Sequence, residues 1–376
     1  MQKTNRIWGT YFIYFICMTL FCVMRILSEL GYFNGIKSPE VRSVVSTLII
    51  QFGIMLLLPL LLCCIFFKKT PKDVIIHNEY KSIGRRALLI CFALGILVYC
   101  LTVVVSTVSN GIIAGFGYRS YVITEKSSLS PVKLFFLELL LVAILPAVCE
   151  EFLHRGILLQ GIRSLGYKKA IIISGILFGL IHFSITQAVY ATVIGILLGF
   201  VAIVSKSILP SIIIHFTNNA ISLYLSYASE YGWFGGKAYN FASKFFVSAN
   251  PVLTFIACMS FLVVVCTGII FLIYLLYKYT TLKYVQKEID DKFRKAMAKS
   301  NSRSPIYFEG TTKVQEVVET SYTLNLYTPP LESPVDMLLP KQSEIYKPNF
   351  MDRVFLWGSI ALGILVTIFT LIWGLV

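Results

Sequence analysis

Charge is what this chain has least of. Asp, Glu, Lys and Arg make up 14% of its 376 residues, against about 25% in an ordinary soluble domain. A soluble globular protein is therefore excluded as the working class. Acidic residues are scarcer still: 19 Asp+Glu face 33 Lys+Arg, a formal net charge of +14. In a soluble protein that excess would suggest nucleic acid. Here no basic–aromatic interleaving and no nucleic-acid motif accompanies it, so nucleic acid is not an expected partner. The chain has no H-E-x-x-H. Its nine cysteines, Cys17, Cys22, Cys63, Cys64, Cys91, Cys100, Cys149, Cys258 and Cys266, lie in or beside apolar runs at no zinc-site spacing. They read as small buried hydrophobes, and neither a metal nor another cofactor is expected. There is no clear internal repeat of the kind many carriers show. The segment Trp8 to Leu27 is too long for a signal-peptide core and lacks a small-residue cleavage site, so it is expected to stay as a first span.

What is abundant is hydrocarbon. Hydrophobic residues make up 57% of the chain, and apolar runs of about 20 residues, enough to cross a bilayer, recur along it. Inside a bilayer each backbone N–H and C=O must pair within its own segment, which makes helices the default. The fold class expected is an all-α polytopic membrane protein. About nine transmembrane helices are placed at 7–28, 44–67, 86–109, 132–158, 169–186, 188–205, 208–228, 252–277 and 353–376.

Basic residues set the orientation. Lys3 and Arg6, then Lys68, Lys69, Lys72, Lys81, Arg85 and Arg86, then Arg163, Lys168 and Lys169, then Lys206, then the cluster from Lys278 to Lys299 all fall on one side if the N-terminus is cytoplasmic. The opposite loops, 29–43, 110–131 and 229–251, carry fewer and more mixed charges. Residues 279–352 differ from the rest. They begin with helical spacing of Leu282, Val285, Ile289, Phe293 and Met297 and turn β-prone and Pro-rich. A cytoplasmic appendage that binds a membrane-protein partner and a partly disordered linker are both compatible with that composition. The domains expected are 1–130 (N-terminal helices), 131–230 (central helices), 231–278 (eighth span), 279–352 (appendage) and 353–376 (final span).

Against this background the stretch "CEEFLHRGIL", residues 149–158, stands out. Ionisable residues within spans are costly and are functional candidates by default. They form three groups: Glu150, Glu151, His154 and Arg155 on the fourth span, His182 on the fifth, and His215 with Asn219 on the seventh. Residues at i and i+4 share a helical face. Glu151 can therefore pair with Arg155, while Glu150 points about 100° away. The Glu151–Arg155 pair fits a structural pin as well as a direct role. His154 is i+4 from Glu150 and either touches it or faces the lipid interface. Asn218 reads as a helix-packing amide. At 1.5 Å per residue, Glu150 and His182 lie roughly 20 Å, and His215 roughly 13 Å, from basic loops on one side. Three helices thus bring these groups to similar depth around one polar cavity. A carboxylate with an imidazole can deprotonate water, and a second imidazole with an amide can stabilise an oxyanion. No serine or cysteine is paired with a base.

The three motifs "EEFLHR", "FGLIH" and "HFTNN", as E-E-x-x-x-R, F-x-x-x-H and H-x-x-x-N in that order on separate spans, resemble the CPBP family of CAAX prenyl proteases and bacteriocin-processing proteins, also called the Abi family. The resemblance covers about 130–230, a four-helix core. It implies an intramembrane glutamic endopeptidase, with Glu150 as general base alongside His182. It further implies His215 and Asn219 as the oxyanion site, and Glu151 and Arg155 as supporting residues. His154 departs from the family, where an aromatic often precedes the arginine. The expected substrate is a peptide or membrane protein, in contact with membrane lipid, in a bacterial cytoplasmic membrane. Two alternatives remain at this point: a metal-dependent protease, which chelators would inhibit, and a non-catalytic membrane scaffold, which Glu150→Ala would leave unaffected.

Overall fold

The computed structural model describes residues 3–77, 83–119, 127–248, 251–282 and 346–373. Most of the expected appendage, 283–345, therefore lies outside the described residues. Ten longer helices organise the rest: α1 Lys3–Glu29, α2 Pro39–Phe67, α3 Arg85–Gly115, α4 Pro131–Leu165, α5 Tyr167–Leu180, α6 Ile185–Ser205, α7 Leu209–Tyr231, α8 Gly236–Ser248, α9 Pro251–Tyr277 and α10 Phe350–Trp373. No strand occurs among the described residues. The protein is an all-α polytopic membrane protein.

A helix occupies each of the nine expected spans among the described residues, although the one expected at 169–186 ends at Leu180. Seven of them, α1, α2, α3, α4, α6, α9 and α10, are long and apolar enough to cross a membrane. The other two differ for physical reasons. α5 has 14 residues, too few for about 30 Å of hydrocarbon. α7 has 23 residues but carries Ser211, His215, Thr217, Asn218 and Asn219 along its length, so its hydropathy falls. Both are embedded among the spanning helices. The expected loop 229–251 contains α8, whose mixed polar and aromatic sequence gave no apolar run to find.

Local sequence explains the helix ends. Ser38 caps α2 by accepting from the Val41 N–H at 3.3 Å, with Pro39 at the first helical position and Glu40 in the first turn. Prolines also act inside helices. Pro59 and Pro146 have no N–H to give to the fourth residue back, and π-helical stretches, Leu48–Leu57 and Leu139–Ile144, run up to them. A third such stretch, Phe152–Leu159, follows the paired glutamates. π-helical turns, with their i to i+5 bonds, recur at functional sites. All three lie beside the residues described next.

Two apolar clusters make the core. One joins α1, α2, α4 and α5, with Phe355, Leu356 and Ile360 of α10 packed on it. The other joins α3, α6, α7 and α9. α6 serves both, giving Ala202 and Ile203 to the first and Ile194, Leu198, Val201 and Val204 to the second. α5 and α6 approach closely because glycines face each other: a Cβ at Gly195 would sit 2.9 Å from the Gly175 carbonyl oxygen. α10 is tied back to the core through Tyr346, whose N–H donates to the Ser164 carbonyl at 2.8 Å.

Candidate active site

The polar groups gather on the seam between the two clusters, where α4 and α5 of the first meet α7 of the second. The adjacent carboxylates diverge, as their 100° offset requires. Glu151 is fully buried. Its Oε1 accepts from Arg155 Nη1 at 2.7 Å and from His215 Nδ1 at 3.1 Å. Arg155, also fully buried, donates from Nη2 to the Gly195 carbonyl at 3.0 Å. Glu151 thus binds α4 to α7, and Arg155 binds α4 to α6. Glu150 is half-buried, and its Oε1 accepts from Gln51 Nε2 of α2 at 2.9 Å.

The histidines are each held at Nδ1. His182 donates Nδ1–H to the Phe178 carbonyl at 2.7 Å, just past the end of α5, which fixes the ring and leaves Nε2 as the working nitrogen. His215 is held by Glu151 as above. His154 donates Nδ1–H to the Glu150 backbone carbonyl at 2.8 Å, and its Nε2 lies 3.2 Å from the Tyr14 hydroxyl of α1. His154 therefore touches Glu150 through the backbone and is fully buried, which settles the choice left open by spacing against the lipid interface. No hydrogen bond joins His182 and Glu150 directly among the described residues.

Phe178 sits at the centre. Its ring centroid lies 4.9 Å from that of His154, 5.2 Å from His182 and 5.7 Å from His215, each ring meeting it edge to face, and 4.4 Å from the Arg155 guanidinium carbon. One apolar side chain spaces three imidazoles and a cation.

Asn219 is fixed by a chain of amides. Thr102 of α3 donates to Asn218 Oδ1 at 2.9 Å, Asn218 Nδ2 donates to Asn219 Oδ1 at 2.9 Å, and Asn219 Nδ2 donates to the Val142 carbonyl at 3.1 Å. Val142 is four residues before Pro146, so its carbonyl lacks the usual helical donor. The proline that opens the backbone of α4 thereby gives Asn219 its anchor. One Nδ2 hydrogen of Asn219 is spent on it, and the second remains.

Residues 131–221 match the family model described as Type II CAAX prenyl endopeptidase Rce1-like. This stretch, 131–221 of 376 residues, is similar to that family and is called the Rce1-like domain below. It comprises α4 to α6 and the part of α7 that holds His215 and Asn219. The likeness is to a family of CAAX-type endopeptidases and is confined to that stretch. No curated protein and no solved structure matched the chain.

Of the residues singled out from the sequence, Glu151, Arg155 and His215 are hydrogen-bonded together and His182 is linked to them through Phe178, whereas Glu150 is held by Gln51 and Asn219 by Asn218 and the Val142 carbonyl. Sequence reasoning missed three contributors. Gln51 left a usable signal, as the sole amide, hydroxyl or charged side chain between Leu48 and Phe67. The Val142 carbonyl was signalled by Pro146. Tyr14 left none in a chain with 21 tyrosines. Among the described residues no group of three or more His, Cys, Asp or Glu side chains is arranged to hold a metal.

Proposed function

We propose that this chain is a glutamic-type intramembrane endopeptidase that hydrolyses a peptide bond in a membrane-associated peptide or protein. Glu150 and His182 activate the water, and residues 131–230 form the catalytic core. The observation that carries this reading is the division of labour between the two adjacent carboxylates. Glu151 is buried and engaged by Arg155 and His215. Each carboxylate is bonded through Oε1 alone among the described residues, but Oε2 of Glu151 is fully buried while Glu150 is half-buried, so Glu150 is the one whose second oxygen a water can reach. A general base needs a free oxygen within reach of the proton it takes.

The steps follow from the atoms. Glu150 takes a proton from water as the water oxygen attacks the scissile carbonyl carbon. The carbonyl oxygen becomes an oxyanion, which accepts from the second Nδ2–H of Asn219 and from His215 Nε2–H. For His215 to donate there as well as at Nδ1, its ring carries both protons, and the Glu151 carboxylate is the counter-charge for that form. The proton taken by Glu150 passes to the leaving nitrogen, with His182 Nε2 as the second proton carrier, and the C–N bond breaks. Each step uses water and no covalent enzyme intermediate.

The test compares membranes from cells carrying the wild-type chain with membranes from cells carrying Glu150→Gln. Peptide mass spectrometry should find a set of membrane-protein cuts present only in the first. Identical peptide sets would contradict the proposal.

A further inference from the structure

The catalytic carboxylate is held by a residue from outside the Rce1-like domain. α2 between Leu48 and Phe67 is apolar except for Gln51. A primary amide in such a helix is costly unless its hydrogen-bonding atoms are paired. The π-helical stretch Leu48–Leu57 that contains Gln51 packs on the α4 segment Leu145–Glu151. There Gln51 Nε2 donates to Glu150 Oε1 at 2.9 Å. The chemistry fixes which end of the amide faces Glu150: a carboxylate oxygen accepts, so the nitrogen must be the atom that meets it. Gln51 Oε1 is buried and has no hydrogen-bond partner among the described residues.

Resting on the reading of Glu150 as base, we infer that Gln51 is a positioning residue for the hydrolysis. It clamps Oε1 of Glu150 and so designates Oε2 as the oxygen that takes the proton from water. The bond is charge-assisted, the stronger kind, and it comes from a different helix than the one carrying Glu150. Without it the carboxylate turns about its terminal torsion, which is broad and soft in glutamate. With it, Oε1 is engaged from α2 and Oε2 is left for the water. The proline of α2 contributes indirectly: Pro59 lacks the N–H of a regular helical turn, and the wider turns before it carry Gln51.

Substitutions separate positioning from packing. Gln51→Leu keeps the volume and removes the donor. Gln51→Glu keeps the shape and sets one carboxylate against another, so a proton held between them takes the base out of its working form. Purified wild type, Gln51→Leu, Gln51→Glu and Glu150→Gln are assayed on a quenched fluorescent peptide spanning a cut found in wild-type membranes and absent from Glu150→Gln membranes. Thermal unfolding of each is measured in parallel. A small misplacement of a reacting group can cost about 100-fold. The expected result is a kcat lower by roughly 10- to 100-fold for Gln51→Leu, with KM within about twofold. Gln51→Glu should be at least as impaired, with its unfolding midpoint near wild type. Three results would overturn the inference while Glu150→Gln stays inactive: wild-type kcat in both Gln51 variants, a raised KM with unchanged kcat, or a normal Gln51→Glu beside an unstable Gln51→Leu. Full activity in Glu150→Gln would instead sink the proposed mechanism itself.

Discussion

The guanidinium carbon of Arg155 lies 4.4 Å from the centre of the Phe178 ring, and the same ring stands edge to face against all three site histidines. A desolvated cation over an aromatic face contributes about 2 kcal/mol. Phe178→Leu should therefore lower the unfolding midpoint and also lower kcat, because the imidazoles lose their common spacer. A variant that unfolds earlier yet turns over at the wild-type rate would show that Phe178 serves Arg155 alone.

Glu151→Gln should act first on the fold. Arg155 is fully buried and Glu151 is its acidic partner, so neutralising the carboxylate leaves a buried charge uncompensated, at a cost of about 3–5 kcal/mol. Yield in membranes and the unfolding midpoint in detergent should both fall, and activity with them. An inactive Glu151→Gln that is as stable as wild type would make its role chemical rather than supporting.

Asn219→Ala tests the oxyanion site. Removing one donor of this kind costs about 10²–10³ in turnover, so kcat should fall by that order with KM little changed. His215→Ala should do similar harm, and the double variant should fall short of the product of the two, since groups acting as a unit are not additive. A raised KM with unchanged kcat would make Asn219 a substrate-binding residue.

Pro146→Ala probes the anchor of Asn219. Alanine restores an N–H that can bond to the Val142 carbonyl, the atom to which Asn219 now donates at 3.1 Å. Proline inside a helix costs about 3 kcal/mol, so the variant should be at least as stable as wild type. Its kcat should nonetheless fall about tenfold or more, toward the loss expected for an oxyanion donor. Unchanged kcat would show that Asn219 needs no help from this carbonyl.

Much of this was readable in the sequence, and the reasons are physical. The spans were found because hydrocarbon tolerates long apolar runs and little else. The motif residues were found because ionisable groups in such runs are rare. The i, i+4 rule correctly paired Glu151 with Arg155. It could not supply the third partner, His215, which arrives from α7 through tertiary packing. It also left His154 undecided, because burial against Tyr14 depends on where α1 lies. The helix α8 escaped because it carries no continuous apolar run of the kind that marks the spans. The π-helical stretches before Pro59 and Pro146 escaped because a proline within a span signals an altered turn without saying which partner takes the freed carbonyl.

The central claim is that Glu150 is the base, and its isosteric replacement tests it most directly. Wild type and Glu150→Gln are purified side by side and shown by thermal unfolding to be equally folded. Both are then given a peptide spanning a cut found only in wild-type membranes. A neutral amide cannot take a proton from water, so Glu150→Gln should bind the peptide and leave it uncut. Cleavage at the wild-type rate by a folded Glu150→Gln would contradict the mechanism.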